Sequence, residues 1–388
     1  MTHHTAPSPL LQPLLFCADD FANCFFRKPS QRENDFLTHL GICRQLLGAE
    51  ELARLDAVNE RGRTGYTLMS IFSIMALKLL YSQVTMKQTL ALVRENDNLR
   101  QIIGITEVPS EATMSRLSRQ VEKIVDPASM QARVVGLYQQ ATARIVGHLS
   151  IDSTIIEARE KPIKGRRASR HEQSEPKKRG RKRKGSPEEA EYLAEKAREE
   201  EMRARYLAQT PEEWLSTLEN RCSLTAKVSS KGKRRWYIGY KAHLACDDLG
   251  VPLAHAVTGA CVHDSNVAIP LMKMVGATFV FLYVLMDKGY SSTEIERFAT
   301  SMGAVAIIDR PARNGVAVPM DPATAQRYKA RTTVERTNSE LKDGYLPVKL
   351  YRRKEQARYD ISLAILLTTI KKVRSVMARM QDRQRHAA

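Results

Sequence analysis

The apolar residues of this chain recur at two different periods, and the change falls at His148. Before it, Leu68, Ile71, Phe72, Met75, Leu79 and Leu80 repeat at intervals of three and four, which predicts helices through residues 33–145. After it, Leu149 to Ile156 is a short β-rich run with an aspartate in its middle. Strand-like runs follow at Trp236 to Cys246, Val251 to Gly259, Phe279 to Met286 and Ala304 to Ile308. Helical pieces fall at Asp264 to Val275, Ser291 to Met302 and about Pro322 to Lys342. The order β, insertion, β, β, α, β, α, β, α predicts a mixed-sheet α/β domain behind an all-α N-terminal one. Three segments are therefore expected: 1–145 helical, 146–345 α/β and interrupted by 159–235, and 346–388 as a basic helical tail.

Charge separates these segments further. The formal net charge is +18, which points to a polyanionic partner. Residues 159–185 carry 13 basic and 3 acidic side chains, too polar a composition to bury apolar surface, so this run is expected to be a solvated loop. Lys178, Arg179 and Arg181 within it are candidate contacts to a phosphate backbone. Residues 186–220 reverse the sign with 4 basic and 10 acidic side chains, and two helix starts are legible there. Ser186-Pro187-Glu188-Glu189 reads as a capping box with Glu189 reaching back, and Thr210-Pro211-Glu212-Glu213 repeats the signal.

The six cysteines show no CxxC pairing, so neither a disulfide framework nor a structural zinc is expected. The most apolar stretches, around 271–286 and 361–370, are interrupted or short, so no membrane span and a cytoplasmic, nucleoid-associated location are expected. In the N-terminal part, Pro109 to Thr113 opens a helix with Met114, Leu117, Val121 and Ile124 inward. Its other side holds Ser115, Arg116, Arg119 and Lys123, compatible with a DNA recognition helix and equally with an ordinary solvated face.

The most specific pattern lies near the C-terminus. On a regular helix Tyr328, Arg331, Glu335 and Lys342 fall at roughly 0°, −60°, −20° and −40°, one narrow face, whereas Glu340 falls near ~120° and points elsewhere. Two further carboxylates stand where burial makes them costly without a cation or donor: Asp152 inside the first strand, and Asp287 at the end of the fourth predicted strand. Together the three suggest one shared metal site. Asp264 is expected to act as a helix N-cap, and His243 as a packed or hydrogen-bonded histidine.

The helix resembles the Tyr-2-Arg-3-Glu-6-Lys signature of bacterial insertion-sequence transposases of the DDE class. Tyr328, Arg331, Glu335 and Lys342 fill its four positions. The segments 151–158 (IDSTIIEA), 240–248 (YKAHLACDD), 263–266 (HDSN) and 287–290 (DKGY) resemble that group as well, so the likeness covers roughly 60–375. It implies a ribonuclease-H-like catalytic core, with the insertion placed after the first strand and not, as in better-known members, between the second aspartate and the glutamate.

The resemblance also implies metal-dependent DNA strand cleavage and strand transfer at element ends. Asp152, Asp287 and Glu335 would ligate Mg²⁺ or Mn²⁺, as two ions. Arg331 and Lys342 would contact phosphate, and Tyr328 either a phosphate or an unpaired base. The partner would be double-stranded DNA, held by a homodimer or higher assembly when ends are paired. The alternative is a catalytically inactive, transposase-derived DNA-binding protein.

Overall fold

The computed structural model describes residues 28–57, 65–163, 183, 185–228, 232–310, 319–346 and 351–387. Lys178, Arg179 and Arg181 lie outside them. The N-terminal part is helical as predicted: α1 (Gln31–Leu46), α2 (Ala49–Asp56), α3 (Leu68–Leu80), α4 (Met86–Glu95), α5 (Asp97–Ile103), α6 (Glu111–Ile124) and α7 (Pro127–Thr142). Polar side chains set their starts. Ser30, Thr67, Thr85, Asn96, Ser110 and Asp126 each accept from a backbone N–H of the first turn. Nearly every residue of α3 from Ser70 to Leu79 is buried, which makes it the axis of this half. On α6, Met114 and Val121 are buried while Ser115, Arg116, Arg119 and Lys123 are exposed.

The second half is built on one mixed sheet. Its elements run β1 (Val146–Glu157), α8 (Pro187–Ala208), α9 (Pro211–Thr217), β2 (Ser223–Val228), β3 (Arg234–Cys246), β4 (Pro252–Gly259), α10 (Ser265–Gly276), β5 (Phe281–Met286), α11 (Thr293–Ser301) and β6 (Val305–Ile308). β1 lies in the middle, antiparallel to β3 on one side and parallel to β5 on the other. β6 continues in parallel beyond β5, and β4 pairs antiparallel with β3. The strand order thus reads β4-β3-β1-β5-β6, with β2 alongside the outer half of β3.

Several sequence expectations need correction here. β2 falls inside the stretch 159–235, where the sequence suggests only loop and helices. Its short run SLTAKV carries little pattern alone, and it is defined by its register with β3, from Ser223 opposite Gly239 to Val228 opposite Arg234. Around Ser186 the box is offset: the Ser186 hydroxyl accepts from the Glu189 N–H, but Glu189 reaches back to the Gly185 N–H at 2.5 Å. At Thr210 both halves of the box are present.

The long helix predicted for about 322–342 is segmented. α12 (Pro322–Tyr328) passes through a 3₁₀ turn at Lys329–Arg331 into α13 (Thr332–Glu340), and the chain then widens into a π turn, Leu341–Tyr345. A count at 100° per residue holds only while the helix stays regular, so the phase assigned to Lys342 is lost in the wider turn. Lys342 is exposed.

Helix α14 (Lys354–Ala387) is no loose tail. Ile361, Leu363, Ala364, Ile365, Leu366, Leu367, Ile370 and Val373 are fully buried, and the helix packs against α1, α3, α7 and β4. Within this stretch Lys371 and Lys372 turn toward Glu340, and just before it Asp360 is buried and paired with Lys78 of α3 at 2.9 Å. Among the described residues no helix is long and apolar enough to cross a membrane. Cys43, Cys222, Cys246 and Cys261 are free thiols.

Candidate active site

Three distant segments meet at the centre of the sheet. Asp152 stands on β1 opposite Leu244, a central strand with neighbours on both sides. Asp287 follows the last residue of β5, where its carboxylate accepts the Gly289 N–H at 2.9 Å and closes a 3₁₀ turn over Lys288–Tyr290. α13 lies against β1 and β3 and brings in Glu335 and Asn338, while the 3₁₀ turn before it brings in Arg331.

The contacts are specific. Asn338 donates from Nδ2 to Asp152 Oδ2 at 2.9 Å. Arg331 sits between two carboxylates: Nη1 is 3.6 Å from Asp152 Oδ1 and Nη2 donates to Glu335 Oε1. The guanidinium also stands 5.8 Å from the Tyr328 ring centroid. The Tyr328 hydroxyl donates to the Met286 carbonyl at 3.2 Å, pinning the end of α12 to the strand end that carries Asp287. Burial pushes the Asp152 carboxyl up to about 6; Asp287 adds to the rise, while Arg331, the Ser153 N–H and Asn338 oppose it.

The structure therefore brings Asp152, Asp287, Arg331, Glu335 and Tyr328 together. Lys342 makes no contact with this group that places it there. Glu340, as expected, is engaged elsewhere, bonding Lys371 and Lys372 of α14 at 2.6 and 3.2 Å.

The donor set fits a hard divalent cation. Its atoms are carboxylate oxygens, and a desolvated aspartate whose protonation is favoured by a second aspartate is the arrangement that a cation relieves. One buried donor, Arg331 Nη1, is left without a hydrogen-bond partner, so the guanidinium does not fully satisfy the carboxylates. Among the described residues no three His, Cys, Asp or Glu side chains converge as a ready cage, since Glu335 is turned toward Arg331.

Behind the site lies a second polar group, and here the structure departs from the helix-cap expectation. Asp264 has helical backbone angles (φ −62°, ψ −34°) and makes no capping bond. Its Oδ1 accepts instead from Ser153 Oγ and Lys241 Nζ, both at 2.9 Å. Lys241 is buried, and a buried ammonium requires a counter-charge, so the carboxylate serves the sheet and not the helix start. His243 is buried as expected, with Nε2 2.9 Å from Thr258 Oγ1, and burial lowers it to about 4. Asn338 is a site residue that the sequence alone does not single out. Its one signal is a position one turn beyond Glu335 on α13.

Two family models match segments of the chain. Residues 216–369 match a Transposase DDE domain, and residues 30–120 match a Transposase domain (DUF772). The first match contains Asp287 and Glu335; Asp152 lies before it. No curated protein and no solved structure matches the chain. The chain belongs to the insertion-sequence DDE transposases. That family implies a ribonuclease-H-like fold, polynucleotidyl transfer on DNA and general use of divalent metal ions, and the mixed sheet described above accords with the fold.

Proposed function

We propose that this transposase cuts DNA strands at the ends of its element and joins them to a target, with Asp152, Asp287 and Glu335 as the catalytic carboxylates. The observation that carries the reading is the meeting of Asp152 with Asp287, more than 130 residues away in sequence, and with Arg331 and Asn338 beside α13. Nothing in core packing calls for a desolvated aspartate there.

When bound by these carboxylates, Mg²⁺ or Mn²⁺ would supply Lewis-acid activation at phosphorus and stabilise the charge on the entering and leaving oxygens. The remaining work belongs to the chain. Asn338 holds one oxygen of Asp152, leaving Oδ1 directed at the shared site. The turn closed by Asp287 and the Tyr328 hydroxyl on Met286 fix the second carboxylate on a rigid strand end. This favours a positioning role for Tyr328 over a contact to phosphate or base. Arg331 is shared between Asp152 and Glu335, and a phosphate entering the site would compete for its guanidinium. Lys342, exposed one π turn further on, is a phosphate contact at the margin. With water as nucleophile the strand is nicked; with a DNA 3′-hydroxyl it is transferred.

The Tyr-Arg-Glu-Lys group assignment, the use of two ions, the segment boundaries 1–145, 146–345 and 346–388, and end pairing by a dimer or larger assembly belong to the same reading. So do the phosphate contacts at Lys178, Arg179 and Arg181. DNA cut from either side of the coding sequence, incubated with the protein and Mg²⁺ or Mn²⁺, tests it. The expected result is cleavage at discrete flanking positions that disappears in Glu335→Ala. Scattered cuts on any DNA would mark a general nuclease, and binding without cutting would mark an inactive DNA-binding relative.

A further inference from the structure

The outer half of β3 and its partner β2 form a two-stranded ribbon that leaves large apolar side chains exposed. Trp236 is 58% exposed, and Ile238 and Leu224 beside it are exposed as well. Large apolar side chains left in water on a short ribbon mark a contact surface. The charge on the ribbon itself has one sign, and Arg235 stands 3.9 Å from Glu157 of the neighbouring β1. Lys227, Lys233, Arg234 and Arg235 lie on the described part of the ribbon, which carries no acidic residue. Arg234 stands 6.0 Å from the Trp236 ring and Arg235 5.1 Å from the Tyr237 ring, so cations flank both aromatics.

Register fixes which way this surface faces. Asp152 pairs with Leu244, and directly paired residues of an antiparallel ladder point to the same side. Side chains alternate along a strand, so Ala242, Tyr240, Ile238 and Trp236 share the face of Leu244 and hence of Asp152. Leu224 opposes Ile238 and joins them. No register shift intervenes between Arg234 and Ala245. The strands stay close at the junction because Gly239 lacks a side chain: a Cβ there would meet the Ile156 carbonyl oxygen at 2.1 Å. Trp236 is eight residues along β3 from Leu244, about 27 Å, which is the length of about eight base pairs.

We propose that this ribbon is an arm that seats in the duplex DNA held over the Asp152 face, with Trp236, Ile238 and Leu224 against the groove and Arg234, on the same face, on a flanking phosphate. A two-stranded ribbon fits the major groove in width. The all-basic charge suits a phosphate backbone and opposes a second copy of a chain of net charge +18. The chain also leaves β1 at Glu157, opposite Gly239 where the ribbon begins, and runs directly into the 159–185 segment of net +10. This inference rests on the DNA-cutting reading above and names a surface used by the same substrate.

The test uses the full chain with Trp214→Phe, so that Trp236 is the sole tryptophan emitter, titrated with a duplex cut from the DNA flanking the coding sequence. The wild-type chain beside Trp236→Ala, an exposed substitution, gives the same information by difference. Quenching of Trp236 emission on duplex addition is expected, together with a salt slope lower by about 1 in Arg234→Ala. Duplex retained on a filter with Trp236 emission unchanged would overturn the arm and leave the transposase reading standing. Quenching by the single strand alone, or by raising protein concentration without DNA, would reassign the face to unpaired bases or to a second copy. No retention of any DNA would overturn both readings.

Discussion

Asn338 on α13 donates to Oδ2 of Asp152 on β1, a bond that ties the glutamate-bearing helix to the strand that carries the first aspartate. The bond places Asn338 beside a carboxylate proposed as catalytic without making it a ligand. Asn338→Ala is expected to lower the single-turnover cleavage rate by about 10-fold or more while DNA retention stays unchanged, the size usual for a group that orients a metal-binding side chain. A rate equal to wild type would remove Asn338 from the site.

Much of this site is legible in the sequence. Asp152, Asp287, Arg331 and Glu335 are marked by apolar strands that end on or enclose an acid, and by a helical spacing short enough for regular geometry to hold. Lys342 lies beyond that range, because a π turn changes the phase without leaving a mark in the sequence. Asp264 misleads for a related reason: an Asp before a helix suggests a cap, and only the tertiary position of Lys241 shows what the carboxylate answers. β2 and the burial of α14 depend on partners far away in the chain, so local pattern could not supply them.

The burial of Asp152 has an energetic consequence. With its carboxyl pushed up to about 6 from an ordinary 3.8, holding it ionised at pH 7 costs the metal-free fold about 3 kcal/mol. Asp152→Asn, which stands in for the neutral acid, is expected to raise the thermal midpoint in the presence of a chelator and to abolish cleavage. A variant that is less stable than wild type under chelation would contradict this view of a carboxylate kept for function.

Three buried histidines, His39, His243 and His255, set an acid limit, since burial lowers all three. Burial lowers His243 and His255 to about 4 from 6.5, so the unfolded chain binds these protons first. Stability is therefore fully present above about pH 6.5 and is lost as pH falls toward 4, by up to about 3 kcal/mol for each of these two. Denaturant midpoints measured between pH 7 and pH 5 should fall, and His255→Gln should flatten the decline. An undiminished slope in that variant would exclude His255 as a source.

The buried pair Lys78 and Asp360 joins α3 to α14. Removing one partner leaves the other charged and without compensation, so Asp360→Ala is expected to cost about 3–5 kcal/mol. Replacing both, as Lys78→Met with Asp360→Leu, should restore most of the loss. Thermal or denaturant unfolding measures both, and a double variant no better than the single one would show that the penalty comes from packing.

The central claim is that Asp152, Asp287 and Glu335 act together on DNA. It is tested most directly by single-turnover cleavage of flanking duplex in Mn²⁺, comparing Asp152→Asn, Asp287→Asn and Glu335→Gln with wild type, with duplex retention measured on the same samples. The account predicts that each variant loses at least about 100-fold in rate while retention stays within about 2-fold, as expected for groups that serve the transition state and not ground-state binding. Cleavage at the wild-type rate by any one of the three would contradict it.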